Sequence, residues 1–597
     1  MVPRGLMDTH LLKLTAFSLA LSAVSALCST HYVDASGTNS TPPYSNWLTA
    51  ATIIQDAIDI AATGDEIVVT NGLYSAGGKA VAGVMTNRVA VTKSLTLRSV
   101  NGPEFTVIQG YQVPETTNGD GAIRCVYLTN GATLSGFTLT SGATRWGGSD
   151  PIADGSGGGL WCESAGAVVS NCVVTGNAAR FWGGGAFAGT LNDCTLNHNS
   201  ASLGGGASLA TLNYCLIFSN TATEGGGAYG SKLNYCTLNG NFAGAGGGGA
   251  YGGALSNCTL SNNTSGRYAF YDGGGGASSA TLSNCTLTRN SASDGGGTFA
   301  SALDRCTLIG NAASHGGGGA AGGKLSNCTL TGNRAAYGGG ATFAPGDWTP
   351  IQVTLDNCTL TDNSATNSGG GVAGVYLGVA VNNCILYLNT ATNGANYDAA
   401  AVLNYCCSTP MPTNGVGNIT NAPLFANFAT GDLRQLSNSP CINAGRNAYM
   451  TNGADRDGNP RIVSGTVDIG AYEFQGSGSQ ISYAWLQQYG LTNDGSADFT
   501  DPDGDRINNW REWRCLTDPT NSLSALRLLS ATPVGSNVTV NWQSVAGVNY
   551  FLERSTDLTA SGFQSLATNL PGQTGTTAFS HTNTAGTSAS FYRVGVP

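Results

Sequence analysis

Apolar and polar residues alternate along this chain in bursts too short for ordinary strands. The stretch "LSNCTLTRNSASDGGG" spans residues 282–297, and a near copy, "LSNCTLTGNRAAYGGG", spans 325–340. Within C-T-L-x, side chains alternate between two faces, so Cys285 and Leu287 share one face and Thr286 and Thr288 the other. The burst recurs at Cys172, Cys194, Cys215, Cys236, Cys258, Cys285, Cys306, Cys328, Cys358, Cys384 and Cys406, most often every 21 or 22 residues. The unit reads GGG-A-x(n)-L-x-x-C-T-L-x-x-N-x-A. A fixed period of this length marks a solenoid.

Two solenoids compete. L-x-x-C-x-L-x-x-N matches half of a leucine-rich repeat, but the second half needs apolar residues after the asparagine. Here "SASDGGG" or "AASHGGGG" follows, and runs of glycine oppose a helix. A parallel β-helix fits better. One repeat supplies three short strands and three turns, and coils stack roughly 4.8 Å apart, so equivalent residues form columns. Cys and Leu then point inward. Asn290 ends a strand and pairs its amide with the coils on either side. The glycine block makes a corner closed to side chains. Over residues 157–410 the pattern resembles the repeats of chlamydial polymorphic outer-membrane proteins, with leucine (Leu260, Leu287, Leu330) in the usual aromatic place. That resemblance implies a surface-exposed β-helix with an adhesive or structural role.

The flanks extend the solenoid. In "TAATIIQDAIDIAATGDEIVVTNGLY", Ile54, Ile58 and Ala61 fall at helical spacing, Gly64 ends the helix and a strand follows. Strands are expected around Val89–Val91, Leu95–Leu97 and Phe105–Ile108. This opening resembles that of pectin-lyase-like right-handed β-helices, where a helix covers the open sheet end. Residues 423–474 resemble the choice-of-anchor Q segment of bacterial β-helix proteins, on Ser439-Pro440, Asn443-Ala444-Gly445, Asp457-Gly458, Pro460-Arg461 and Asp468 to Glu473. They are expected to close the stack. Asp455, Asp457 and Asn459 alternate like half a calcium loop, though a charged turn explains them as well.

Composition narrows the function. The 597 residues include 87 glycines, only 10% are charged and 41% are hydrophobic, which suits turns, strands and a core. The net charge of −10 argues against a nucleic-acid partner. The apolar run 14–26 after Lys13 reads as an export signal, with Met1 or Met7 as the start and cleavage after Ser25 or Cys28. "SALC" (25–28) is similar to a lipid-attachment signal except for Leu27. No later segment is apolar enough to span a bilayer. The expected location is therefore secreted or on the outer surface of a bacterium, as a monomer or a surface-anchored chain. One cysteine per coil does not suit a metal site. Reduced thiols packed as small hydrophobes and disulfides between neighbouring coils both stay open.

A linker, "QGSGSQ" (475–480), precedes "DFTDPDGDRINNWREWRCLTDPTNS". Asp501, Asp503, Asp505, Asn509 and Glu512 stand at positions 1, 3, 5, 9 and 12 of a calcium loop, with the Ile507 carbonyl at 7. The segment resembles the thrombospondin type 3-like motifs of bacterial surface proteins, which implies structural Ca²⁺. Arg506 replaces the usual glycine at position 6 and is expected to strain the turn. Residues 524–597 alternate as a small β-sandwich that resembles fibronectin-III or immunoglobulin modules.

The expected fold is thus all-β: a right-handed parallel β-helix with an N-terminal helical cap, a calcium-loop segment and a C-terminal β-sandwich. The expected divisions are 1–28 (signal), 29–125 (cap and first coils), 126–422 (repeats), 423–474 (closing segment), 475–523 (linker and calcium loop) and 524–597 (sandwich). The coils carry little charge. Before each glycine block, the variable slot places Asp272 and Asp294 one coil apart, a weak catalytic pair. Insertions at 144–155, 264–272 and 345–352 carry Trp146, Tyr268, Phe270, Tyr271 and Trp348, whose rings suit stacking on sugars. Two functions follow: a non-enzymatic adhesive or structural protein that binds a polysaccharide or cell-surface component, or a polysaccharide lyase or glycoside hydrolase of the pectin-lyase-like class.

Overall fold

The structure, a computed structural model, describes residues 28–81, 83–147, 150–266, 273–344, 350–374, 378–557, 562–582 and 590–597. The repeats form a parallel β-helix. Each typical coil has four short strands rather than the three expected. In one coil these are Ala207–Ser208, Thr211–Asn213, Leu216–Phe218 and Thr221–Glu224. Each pairs in parallel register with its counterpart in the next coil, as Leu212 with Leu233, Ile217 with Leu238 and Ala222 with Ala243. The first two strands of each coil belong to one 26-stranded sheet, and the others to 14- and 9-stranded sheets.

The additional bend lies inside the motif. The residue before the repeat cysteine takes a left-handed conformation, with φ of 52° at Asn284, 52° at Asn327 and 53° at Asn357. Asparagine tolerates this geometry better than most residues. The bend resets the alternation, so Leu282, Cys285 and Leu287 all reach the bore despite their 3-then-2 spacing, and all are buried. Each thiol donates to backbone carbonyls, as Cys285 Sγ does to Ser283 O at 3.3 Å. The thiols stand free in one column.

The asparagines form a continuous buried ladder. Asn290 Oδ1 accepts from the backbone N–H of Asn263 at 3.0 Å and from its Nδ2 at 3.0 Å. Its own Nδ2 donates to Asn311 Oδ1 at 2.9 Å and to Leu260 O at 2.9 Å. The pattern repeats coil by coil from Asn177 to Asn396. Inward-facing amides are thereby fully paired, which an apolar bore requires. In the glycine block, Gly295 takes φ +61°, while Gly296 lies hard against the backbone of Ala312.

Helix α1 (Ile54–Ile60) covers the N-terminal end, burying Ile54, Ala57 and Ile58. Gln55 stands in for a missing strand: its Oε1 accepts from Ala90 N at 2.7 Å and its Nε2 donates to Ala90 O at 3.2 Å. The segment after residue 422 does more than close the far end. Residues 446–471 run back along the outer wall as a strap. Arg446 O accepts from Asn383 Nδ2 (3.0 Å), Tyr449 O from Asn357 Nδ2 (3.2 Å) and Asn452 Oδ1 from Asn327 Nδ2 (3.0 Å). Arg456 reaches Thr307 Oγ1 at 2.6 Å and Asn284 Oδ1 at 3.4 Å. Four asparagines of the left-handed corner, Asn383, Asn357, Asn327 and Asn284, thus hold the strap, and Arg305 is the corner residue of the coil between the last two. Beyond it lie helices α3 (Tyr483–Gln488) and α4 (Asn509–Cys515) and two three-stranded antiparallel sheets around Val540, Trp542, Tyr550 and Leu552.

Candidate functional site

The described residues of the insertion, 144–147 and 150–155, are tied to the coils through a short helix. Asp150 caps the short helix α2 (Pro151–Gly155) through Ile152 N and Ala153 N. Arg124 is fully buried beneath it and donates to Ala153 O (2.6 Å), Ser156 O (2.7 Å), Gly157 O (2.8 Å) and Asn87 Oδ1 (2.8 Å). Burial draws its guanidinium down to about 9. Asp154, also fully buried, accepts from Met85 N at 3.1 Å. These contacts tie the insertion to the N-terminal coils.

Trp146 lies at the edge of a groove of about 320 Å³, which is lined by Thr116, Asn118, Trp146, Arg180, Ser202 and Thr223 among others. Its indole N–H donates to Asn118 O, and the Arg180 guanidinium donates to Trp146 O. The guanidinium lies 5.0 Å from the ring centroid. Even so, the side chain stays 52% exposed. The groove opens onto the nine-stranded sheet, whose outer positions here are Ser200, Ser202, Thr221 and Thr223. Arg180 and Asn118 were not singled out in the sequence. The signal for Arg180 is "RF" (180–181), which stands where other repeats carry one small residue such as Ser202, Thr223 or Ser293. The sugar-stacking candidates Tyr268, Phe270, Tyr271 and Trp348 lie outside the described residues.

The expected pairing of Asp272 with Asp294 falls in part outside the described residues. The residue bridged to Asp294 is Gly273, and Asp272 lies outside the described residues. On the other side, Asp294 aligns with Gly316 through a register shift. Coils with four glycines carry an extra residue, which the strand accommodates as a bulge, so the first glycine takes the slot. That bulge instead delivers His315 to Asp294: Nδ1 lies 2.7 Å from Asp294 Oδ1. The Asp294 side chain is 8% exposed and His315 60% exposed, with Tyr337 edge-on to the imidazole at 5.8 Å.

In the C-terminal loop, carboxylate oxygens of Asp501, Asp503 and Asp505 lie within 4.8 Å of one another. Asp503 Oδ2, Asp505 Oδ2, Asn509 Oδ1 and Glu512 Oε2 are buried and have no hydrogen-bond partner. Burial and the charges of Asp503 and Asp505 push Glu512 up to about 7. Arg506 adopts φ +75°, the strain expected from replacing glycine there. Its N–H donates to Asp501 Oδ2 at 2.9 Å. The donor set fits a hard cation: orphaned oxygens crowd together with their repulsion uncompensated, apart from Arg527 at 3.6 Å from Asp505.

The other acidic alternation differs. Asp455 Oδ1 accepts from Asp457 N (3.0 Å) and Asn459 N (2.8 Å), and its Oδ2 accepts from Glu473 N (3.0 Å). All of this serves to close a turn in the strap. Buried Arg461 lies nearby, donating to Asp468 O at 3.1 Å.

Residues 225–396 match the family model described as a right handed beta helix region. No curated protein matches the chain in sequence. Similar solved structures include a pectate lyase, 15% identical, covering 74% of this chain and 96% of that one with a TM-score of 0.27. Another is the A-module of a mannuronan C-5 epimerase from Azotobacter vinelandii (14%, 62% and 95%, 0.26). A third is tailspike protein 2 of bacteriophage CBA120 (10%, 91% and 69%, 0.20). Likeness at this level carries nothing about chemistry.

Proposed function

We propose that the protein is a bacterial β-helix, secreted or displayed on the outer surface, that binds a polysaccharide or other cell-surface glycan in the Trp146–Arg180 groove without cleaving it. The observation that carries this reading is the half-exposed indole, held by Asn118 and Arg180 beside a wall of hydroxyls. An aromatic face stacks on the apolar face of a sugar ring, while hydroxyl, amide and guanidinium groups meet its oxygens. The net charge of −10 speaks against nucleic acid as the partner, and among the described residues no helix is long and apolar enough to cross a membrane. The test is binding and cleavage measured side by side on acidic and neutral polysaccharides. Trp146→Ala is expected to weaken binding by roughly tenfold or more, the loss of one stacked ring, with unfolding unchanged. Equal binding by the variant would refute the groove as the site.

The hydrolase or lyase reading keeps one specific observation, the hydrogen bond between His315 and Asp294. A carboxylate behind an exposed imidazole orients it for proton transfer. Chain cleavage that disappears in His315→Ala would replace the binding reading with this one.

The same reading includes a structural Ca²⁺ held by Asp501, Asp503, Asp505, the Ile507 carbonyl, Asn509 and Glu512. Bound there, the ion supplies the charge that the orphaned oxygens lack. Ca²⁺ at about 100 times its Kd is expected to stabilise the loop by about 2.7 kcal/mol, read as a shift in thermal unfolding. Asp503→Ala and Glu512→Gln are expected to remove that shift. If either variant responds to Ca²⁺ as the parent does, the assignment fails.

A further inference from the structure

Cys406 and Cys407 are neighbours in sequence but serve opposite faces of the wall. Alternation sends Cys406 into the bore, where its Sγ accepts from the N–H of Cys384 as the last of the thiol column. Cys407 points outward. It stands in register with Ile385, in a column that Thr286, Thr307, Thr329 and Thr359 fill in earlier coils. Cys441 comes from the segment that covers this wall. The two cysteines pack together with Ile385 and Ile469, and they are 1% and 0% exposed.

One thiol approaches from the coil and the other from the layer above it, and the two share a hydrogen bond. Their backbones are fixed on both sides. Cys407 N–H donates to Cys384 O at 2.9 Å, and Cys441 O accepts from Ile469 N at 2.9 Å. The thiols of the bore are arranged otherwise. They stack in register with parallel Cα–Cβ directions, a poor geometry for a disulfide, and an inner one has a thiol neighbour on either side. They also serve the backbone, as Cys285 Sγ does by donating to Ser283 O at 3.3 Å and to Leu255 O at 3.6 Å. Cys407 and Cys441 thus form a pair, whereas the bore holds a column.

We propose that Cys407 and Cys441 join in a disulfide that fastens the root of the strap to the last coil. The inference rests on the exported location proposed above, since disulfides persist in oxidising compartments. The bond forms by exchange with a donor disulfide. One cysteine thiolate attacks a donor sulfur, which makes a mixed disulfide and releases one donor thiolate. The other cysteine thiolate then attacks the protein sulfur of that mixed disulfide and releases the second. Two cysteine sulfurs are oxidised, the donor is reduced to two thiols, and the cysteine protons pass to them. Burial raises the Cys441 thiol well above its usual range, so exchange belongs to the stage when the segment is still open. The strap begins five residues on, where Arg446 N–H and O meet the Asn383 amide at 2.8 and 3.0 Å. A bond at Cys441 therefore holds the first contact of the strap in place.

The test is to incubate the full chain with oxidised glutathione at the foot of its thermal transition, where segments open locally. The chain is then denatured in an alkylating agent and mapped by mass spectrometry. The expected product is one linked peptide pair, joining Cys407 to Cys441, with the bore cysteines alkylated. Cys407→Ser and Cys441→Ser should each lose that pair and gain no other. Breaking the bond in the parent should speed protease cleavage within 446–471 by roughly tenfold or more, and reductant should leave cleavage of Cys441→Ser unchanged. Reduced parent and variant should share one unfolding midpoint, which excludes misfolding as the cause. A parent with Cys407 and Cys441 both alkylated overturns the proposal. So does linkage within the bore column, or a linked chain whose strap is cut as fast as that of the reduced one. The redox buffer is set in the assay, so these outcomes bear on the pair alone, and fractionation of the producing cell tests the location separately.

Discussion

Asn290→Asp is expected to unfold the coils around it, the largest effect of any side-chain substitution considered for this protein. Asn290 is 0% exposed, and both ends of its amide are used. As donor it serves Leu260 O and Asn311 Oδ1, each at 2.9 Å. Aspartate points an oxygen at both of these acceptors and places a charge in an apolar bore. Asn290→Ala avoids the charge but still orphans the backbone N–H of Asn263 and one N–H of its side-chain amide. At about 1–3 kcal/mol for each buried unsatisfied group, alanine should cost on the order of 3 kcal/mol and aspartate more. Thr288→Ala, two residues away on the outer face, should stay within about 0.5 kcal/mol. Long repeat arrays do not always unfold in one step. The readout is therefore the denaturation midpoint together with protease cleavage near the altered coil. A normal midpoint for Asn290→Asp would mean that the ladder contributes little.

Gly296→Ala should be comparably disruptive, for a backbone reason. A methyl group there would sit 2.5 Å from the carbonyl carbon and 2.6 Å from the nitrogen of Ala312. These are main-chain atoms of the next coil, so no rotamer relieves the clash. Separating the coils stretches Gly296 N–H to Gly317 O (3.0 Å) and Gly297 N–H to Gly318 O (3.1 Å). Overpacking of this kind costs about 3 kcal/mol or more. Gly310→Ala is the informative comparison. Gly310 has φ +61° but only Arg289 Cγ, at 3.9 Å, near its missing side chain. Its cost is the left-handed strain alone, about 1–2 kcal/mol. Thermal unfolding of the two variants separates crowding from conformation, and equal losses would show that crowding is not the reason for the triplet.

Much of the scaffold was legible because a repeat multiplies its signal. Leu282, Cys285, Leu287, Asn290 and the glycine block each recur, and their inward or corner positions follow from alternation and residue type. The fourth strand was not legible. The bend at Asn284 hides within an unbroken run of polar and apolar letters, and only its φ of 52° reveals it. Sites proved harder than scaffold for the same reason, since a site occurs once. Trp146 could be flagged as an aromatic in an insertion, but its partners Asn118 and Arg180 lie 28 and 34 residues away. His315 reaches Asp294 through a one-residue bulge that counting back from the glycines does not reveal. The acidic loop of residues 501–512 is the exception. All its side-chain donors lie within twelve consecutive residues, so spacing alone lists them.

The periodic letters therefore settle the local rules: which residues enter the bore, which amides form the ladder and where glycine must stand. These depend on neighbours one coil away, and a constant period makes that distance readable. The folded chain alone decides what meets across unequal separations. It lays residues 446–471 along four corner asparagines, sets Trp146 against Asn118 and Arg180, and covers Ile385 with Cys441 and Ile469. Such contacts arise from packing between segments with no fixed spacing, so no pattern along the chain announces them.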